Sequence, residues 1–196
     1  MRNTLALVAG LIAFAAAIPY IIDTIKGKTH PNVVTWGTWT LLNVINVAAT
    51  LNSGAIQTAL LAAFTALGTG TIAILGIKKG VKKYTALDIV CQALAIAGII
   101  AWILTDNAAI AIAIAQFVIL AAAVPTWHHA WISPFAETWE GFAIALLAGT
   151  LTLFSVSTYN FTSIASPLVF LLNSAVIVSI VLIRRKLHPE LTAKPG

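Results

Sequence analysis

The feature that most constrains this chain is that it says the same thing twice. Residues 17–39 read AIPYIIDTIKGKTHPNVVTWGTW, and residues 123–142 read AVPTWHHAWISPFAETWEGF. Pro19 answers to Pro125, 106 residues later. Pro31 answers to Pro134 and Trp36 to Trp139, each 103 residues later, so the second copy has a loop three residues shorter. Each copy runs from an apolar stretch through a proline and a polar loop to a second proline, then Thr-Trp three residues further on. An internal duplication at this scale sets the architecture before any single element is assigned.

The copies belong in a membrane. Only 9% of the residues are charged and 60% are hydrophobic, with mean hydropathy +0.97. A soluble domain carries about 25% charged residues. The apolar runs are continuous, as membrane helices require, and do not alternate as barrel strands do. The net charge of +5 is gathered in short clusters between apolar runs, where orientation signals sit, so it gives no ground for a nucleic-acid partner. The lone Cys91 excludes an intrachain disulfide, and no cluster has metal-ligand spacing. No cofactor is expected. Arg2 followed by an apolar run and Ala15-Ala16-Ala17 resembles a cleaved leader, but the duplication requires this run as a permanent span.

Seven spans of about 20 residues are expected, at 4–22, 33–50, 54–77, 85–104, 107–127, 138–155 and 162–183. The turns Asn52-Ser53-Gly54 and Thr105-Asp106-Asn107 separate neighbouring spans. With seven spans, Lys26, Lys28, Lys78, Lys79, Lys82, Lys83, Arg184, Arg185 and Lys186 fall on one side and Arg2 on the other. The positive-inside rule then places the N-terminus outside and the C-terminus in the cytosol. Residues 1–80 form a first three-helix repeat, 81–106 a linker helix, 107–186 a second repeat and 187–196 a short tail. The expected fold is an all-α membrane protein whose two parallel repeats are joined as 3+1+3, an arrangement used by transporters.

That order, with a proline near the cytosolic end of each repeat's first helix, resembles the PQ-loop superfamily. This family includes the SWEET sugar carriers and their half-size SemiSWEET relatives. The resemblance rests on Pro19-Tyr20, Lys26-Gly27-Lys28-Thr29 and Pro31 to Trp39, and in the second copy on Pro125 and Pro134 to Trp139. Tyr20 and Thr126 stand where the family has its glutamine. The chain is similar also to an uncharacterised bacterial group with a Gly-Lys-Thr-x-Pro loop and a Pro-x-x-Glu loop. The resemblance implies a cytoplasmic membrane of a bacterium, proline hinges at Pro19, Pro125, Pro31 and Pro134, and a pocket asparagine on each repeat's third helix. Asn173 fits; its 103-residue counterpart is Gly70.

The residues add their own candidates. Prolines inside helices kink them, whereas Pro31 and Pro134 suit ordinary helix starts. Trp39, Asn43 and Asn46 share one helical face and would set an aromatic plate beside amides. Trp36 and Trp139 join them as pocket candidates, although tryptophan at a span end also serves as an interfacial anchor. Asn173 lies mid-span and needs a partner or a polar cavity. Gln116, also mid-span, reads as interhelical packing glue. Asp23 aligns with His129, and with Glu137 they form a candidate gate or proton site, histidine titrating near neutrality. A charged loop at a membrane surface is the plainer reading.

The leading functional expectation is a facilitative carrier of a small polar solute, with a sugar first. A non-transporting receptor or assembly protein on the same fold and a proton-coupled carrier of amino or organic acids are the alternatives. No lysine lies between Lys83 and Lys186, so the last span has no Schiff-base amine for retinal. No nucleophile sits beside a base, so an enzyme is not expected. Two copies complete a pocket within one chain, and a homo-oligomer is not required.

Overall fold

The computed structural model describes residues 1–29, 31, 33–80, 86–132 and 134–189. Among them there are α-helices and no strands: α1 (Arg2–Ile25), α2 (Val33–Asn52), α3 (Ile56–Lys79), α4 (Ala86–Thr105), α5 (Ala108–Ile132), α6 (Trp139–Ser155) and α7 (Phe161–Leu187), with a 3₁₀ turn at Pro134–Ala136. Four of them, α1, α3, α5 and α7, are long and apolar enough to cross a membrane. This is an integral membrane protein. Helix α2 has 20 residues, but Thr35, Thr38, Thr40, Asn43, Asn46 and Thr50 lower its hydropathy.

The breaks have local causes. Gly27 at φ +72° and Gly54 at φ +76° take left-handed turns that L side chains resist. Asp106 does the same at φ +49°, and Asn107 Oδ1 accepts from the Ala109 amide to open α5. Asn160 caps α7, its Oδ1 accepting from the Ser163 amide at 3.0 Å. Arg184, Arg185 and Lys186 close α7, where the helix dipole favours cations.

Hydrogen bonds between helices give their directions. Gln57 Nε2 donates to Asn3 Oδ1 (2.8 Å), and Thr58 Oγ1 donates to the Ser163 carbonyl. So α1, α3 and α7 start at one end, here the N-terminal end. Lys79 Nζ donates to the Ile25 carbonyl, and Arg184 Nε donates to the Trp131 carbonyl at 3.0 Å. The last turns of α1, α3, α5 and α7 therefore share the other, basic end. The two bonds are alike: a cation in the last turn of α3 reaches the end of α1, and one in the last turn of α7 reaches the end of α5.

Packing repeats as well. Helices α1 and α2 both lie on α3, and α5 and α6 both lie on α7. The two groups meet along two seams, α1 on α6 and α2 on α5. The α2–α5 seam sets the large Trp39, Leu42 and Ile45 of α2 against an α5 face of Ala108, Ala111, Ala115, Ala122 and Ala123 with Ile112 and Val118, and Leu94 and Trp102 of α4 pack over it. The α1–α6 seam is built of small side chains: Ala13 and Ala148 are buried in it, and Gly141 lies against the Ala16 carbonyl. Without a hydrophobic drive in lipid, small residues let helices associate by close backbone contact.

Pro167 interrupts α7 and was not singled out by the sequence. A proline deprives the carbonyl four residues back of its partner. Here that is Ser163, and the Thr58 hydroxyl of the other group supplies the missing donor. Pro19 lies inside α1 and Pro125 falls within α5, the latter's side-chain surroundings lying outside the described residues. Pro31 precedes α2 and packs beside Gly76, while Pro134 opens the 3₁₀ turn. Neither interrupts an α-helix, so neither is an in-helix kink.

Candidate functional site

A cavity of about 130 Å³ lies between the two groups of helices. A single water needs about 10–15 Å³, so this space admits a small solute. Its floor, near mid-height, is made by Ala13, Asn46, Leu61, Gln116 and Ser166, and it extends to Tyr20, Trp36 and Thr138 near the basic end. Towards the N-terminal end the groups are packed shut: Ala6, Ala9, Ala49, Thr58, Ala148 and Thr152 are wholly buried. Arg2 crosses that end and donates to the Ser157 carbonyl at 3.1 Å.

Helix α2 supplies one wall because Trp36, Trp39, Asn43 and Asn46 fall on the face turned to the cavity. Tyr20, Trp36 and Trp39 form a continuous aromatic surface, with ring centroids 4.7 and 5.2 Å apart. Trp39 Nε1 is buried without a hydrogen-bond partner among the described residues. Phe142 and Phe170 face this surface from the second group. Phe142 follows Trp39 by the same 103 residues that separate Trp36 from Trp139, a signal available in the sequence and passed over there.

Asn173 and Asn43 are oriented by partners that can only donate or only accept. Trp127 Nε1 donates to Asn173 Oδ1 at 2.9 Å. An indole N–H only donates, so the amide oxygen must face it and Nδ2 is left for the cavity. Asn43 Nδ2 donates to the Trp39 carbonyl at 2.8 Å, which leaves Oδ1 as its open atom. Gln116 Nε2 donates to Asn46 Oδ1 at 2.9 Å and to Ser166 Oγ at 3.1 Å. The cavity thus offers both donors and acceptors, and among the described residues no Asp, Glu, Lys, Arg or His side chain lines it.

Of the sequence candidates, Trp36, Trp39, Asn43, Asn46 and Asn173 come together in this cavity. Trp139 does not; it packs with Trp127 and Phe142 on Ala130, Ile177 and Val181. The reason is the 3₁₀ turn at Pro134–Ala136, which delays the start of α6 relative to its proline. Helix α6 starts at Trp139 itself, whereas α2 starts three residues before Trp36, so Trp36 is a turn deeper. Asn173 is the thirteenth residue of α7, and the thirteenth residue of α3 is Gly68, not Gly70. A Cβ on Gly68 would sit 2.9 Å from the Ala17 Cβ, so α1 leaves no room for a matching asparagine.

Neither Asp23 nor Glu137 is among the residues that line the cavity. The side chain of His129 lies outside the described residues, so its pairing with Asp23 does too. Asp23 Oδ2 instead accepts from Thr138 Oγ1 at 3.2 Å, a bond between the groups at the basic end, and Lys28 Nζ lies 4.0 Å from Oδ1. The Glu137 carbonyl accepts from Arg185 at 3.1 Å; that guanidinium also donates to the Pro134 carbonyl, pinning the loop before α6. Among the described residues no group of His, Cys, Asp and Glu is placed to hold a metal.

Comparison with protein-family models, curated proteins and solved structures finds no match.

Proposed function

We propose that this chain is a facilitative carrier of a small neutral polar solute of the sugar and polyol class, working by alternating access. The observation that carries the reading is the uncharged, amide-lined cavity between the two groups of helices, packed shut at one end and reaching the other. An aromatic surface beside hydrogen-bonding amides suits a solute with C–H faces and hydroxyls. A charged solute would enter a cavity with no opposite charge to offset its desolvation, which is costly.

The reading takes the chain as seven spans in a 3+1+3 order. Support comes from the matched packing, α1 and α2 on α3 and α5 and α6 on α7, from the similar Lys79 and Arg184 bonds, and from α4 lying over one seam. Basic residues at one end favour the cytosol there, and the motifs resembling PQ-loop carriers favour a bacterial cytoplasmic membrane. The same cavity speaks against an assembly protein, which can be packed solid, and against amino or organic acids.

Trp36 and Trp39 make the cavity its own reporter. Titration of the purified protein with neutral sugars and polyols is expected to give a saturable change in tryptophan fluorescence. Amino acids and carboxylates are expected to give none. A saturable response confined to charged solutes would overturn the reading.

A further inference from the structure

Gln116 is buried at mid-height, only 6% exposed, and belongs to α5 of the second group. Both hydrogens of its amide are committed. One goes to Asn46 on α2 of the first group (2.9 Å) and one to Ser166 on α7 of its own group (3.1 Å). Its Oε1 takes no bond from any described residue, and the residue lines the cavity. That oxygen is not among the buried atoms that lack a partner, so it opens to the cavity. A solute hydroxyl in the cavity can donate to it.

We propose that Gln116 is a positioning residue that couples solute binding to the N-terminal end: its bond to Asn46 latches the two groups together at mid-height and keeps that end shut, and a solute hydroxyl oxygen, as an acceptor, competes with Asn46 Oδ1 for the Nε2 hydrogen. The inference rests on the carrier reading for its purpose, not for its geometry. The latch sits at the floor of the cavity, immediately below the packed region that includes Thr58 and Ser163. Separating α2 from α5 there requires the Gln116–Asn46 bond to break. The other crossing bonds at the N-terminal end go to backbone carbonyls of Ser157 and Ser163, which a solute in the cavity does not reach. Gln116 and Asn46, the two partners of the bond that holds the groups at mid-height, both line the cavity.

The reporter is a thiol at Ser163, which is buried at the N-terminal end and whose carbonyl, not its side chain, accepts from Thr58. Ser163→Cys is made with Cys91→Ala, so that it is the sole thiol. Alkylation of the purified protein by a soluble maleimide is timed with and without Gln116→Met, which keeps length but loses both donors. Labelling is expected to accelerate about fivefold, the scale of the one lost hydrogen bond that crosses the groups. A rate equal to or slower than the parent overturns the latch. Should Gln116→Met fail to give monodisperse protein, Asn46→Ala removes the same crossing bond from the α2 side and decides on the same criterion, with about fivefold expected. Uptake by the parent is measured alongside. Accelerated labelling with no uptake of any solute would count against the carrier reading alone, and uptake with unaltered labelling against the latch alone.

Discussion

Asn173→Asp is expected to abolish solute uptake while leaving the protein folded. The aspartate has the same shape, and its carboxylate still accepts the Trp127 indole hydrogen bond, 2.9 Å long with the native amide. What changes is the atom left for the cavity. The amide N–H that donates to a solute oxygen is lost, so a solute hydroxyl has to turn and donate instead, and a charge enters a cavity that holds none among the described residues. The lost donor plus the cost of desolvating that charge as the solute fills the cavity is worth about two orders of magnitude in uptake rate. Asn173→Ala is expected to be worse for stability and less informative, since it also strands the Trp127 N–H at a cost of about 1–3 kcal/mol. Uptake by Asn173→Asp within about threefold of the parent would remove Asn173 from the solute's contacts.

Gly141→Ala is expected to disrupt the α1–α6 seam, although alanine is the better helix former. The added Cβ would stand 2.5 Å from the Ala16 carbonyl oxygen, a backbone atom that moves only if α1 moves. Overpacking of this kind costs about 1–3 kcal/mol, or roughly 3–10 °C in a melting experiment on a chain of this size. Gly37→Ala is the control. A Cβ there meets nothing within 4 Å, so only helix propensity acts, and stability is expected to hold or rise by about 0.5–1 kcal/mol. Equal melting temperatures for the two variants would mean that the seam is looser than the close approach implies.

Much of this was legible because helical periodicity survives in lipid. Trp39, Asn43 and Asn46 were placed on one face by spacing alone, and they share the cavity wall. The turns at Gly54 and Asp106 were legible as polar breaks between apolar runs. What the duplication misled on was register. Trp139 is the sequence twin of Trp36, but the 3₁₀ turn at Pro134–Ala136 delays α6 to Trp139 and leaves it outside the cavity, while Phe142 takes up the place matching Trp39. Counting by repeat offset paired Asn173 with Gly70; counting along the helices pairs it with Gly68, because the offset drifts where loops differ. Gln116 read as packing glue, and it does join helices, but nothing in a single helix shows that its oxygen is left over for the cavity. Pro167 was overlooked because its twin position carries no proline, and its freed carbonyl finds Thr58 only in three dimensions.

Uptake of a labelled neutral sugar panel into proteoliposomes, with and without a pH gradient, is the most direct test that this is a carrier with an uncharged central site. The expected result is saturable uptake of at least one neutral solute, independent of the gradient and lost in Asn173→Asp. No uptake of any neutral solute by folded, inserted protein, or uptake that requires the gradient, would contradict it.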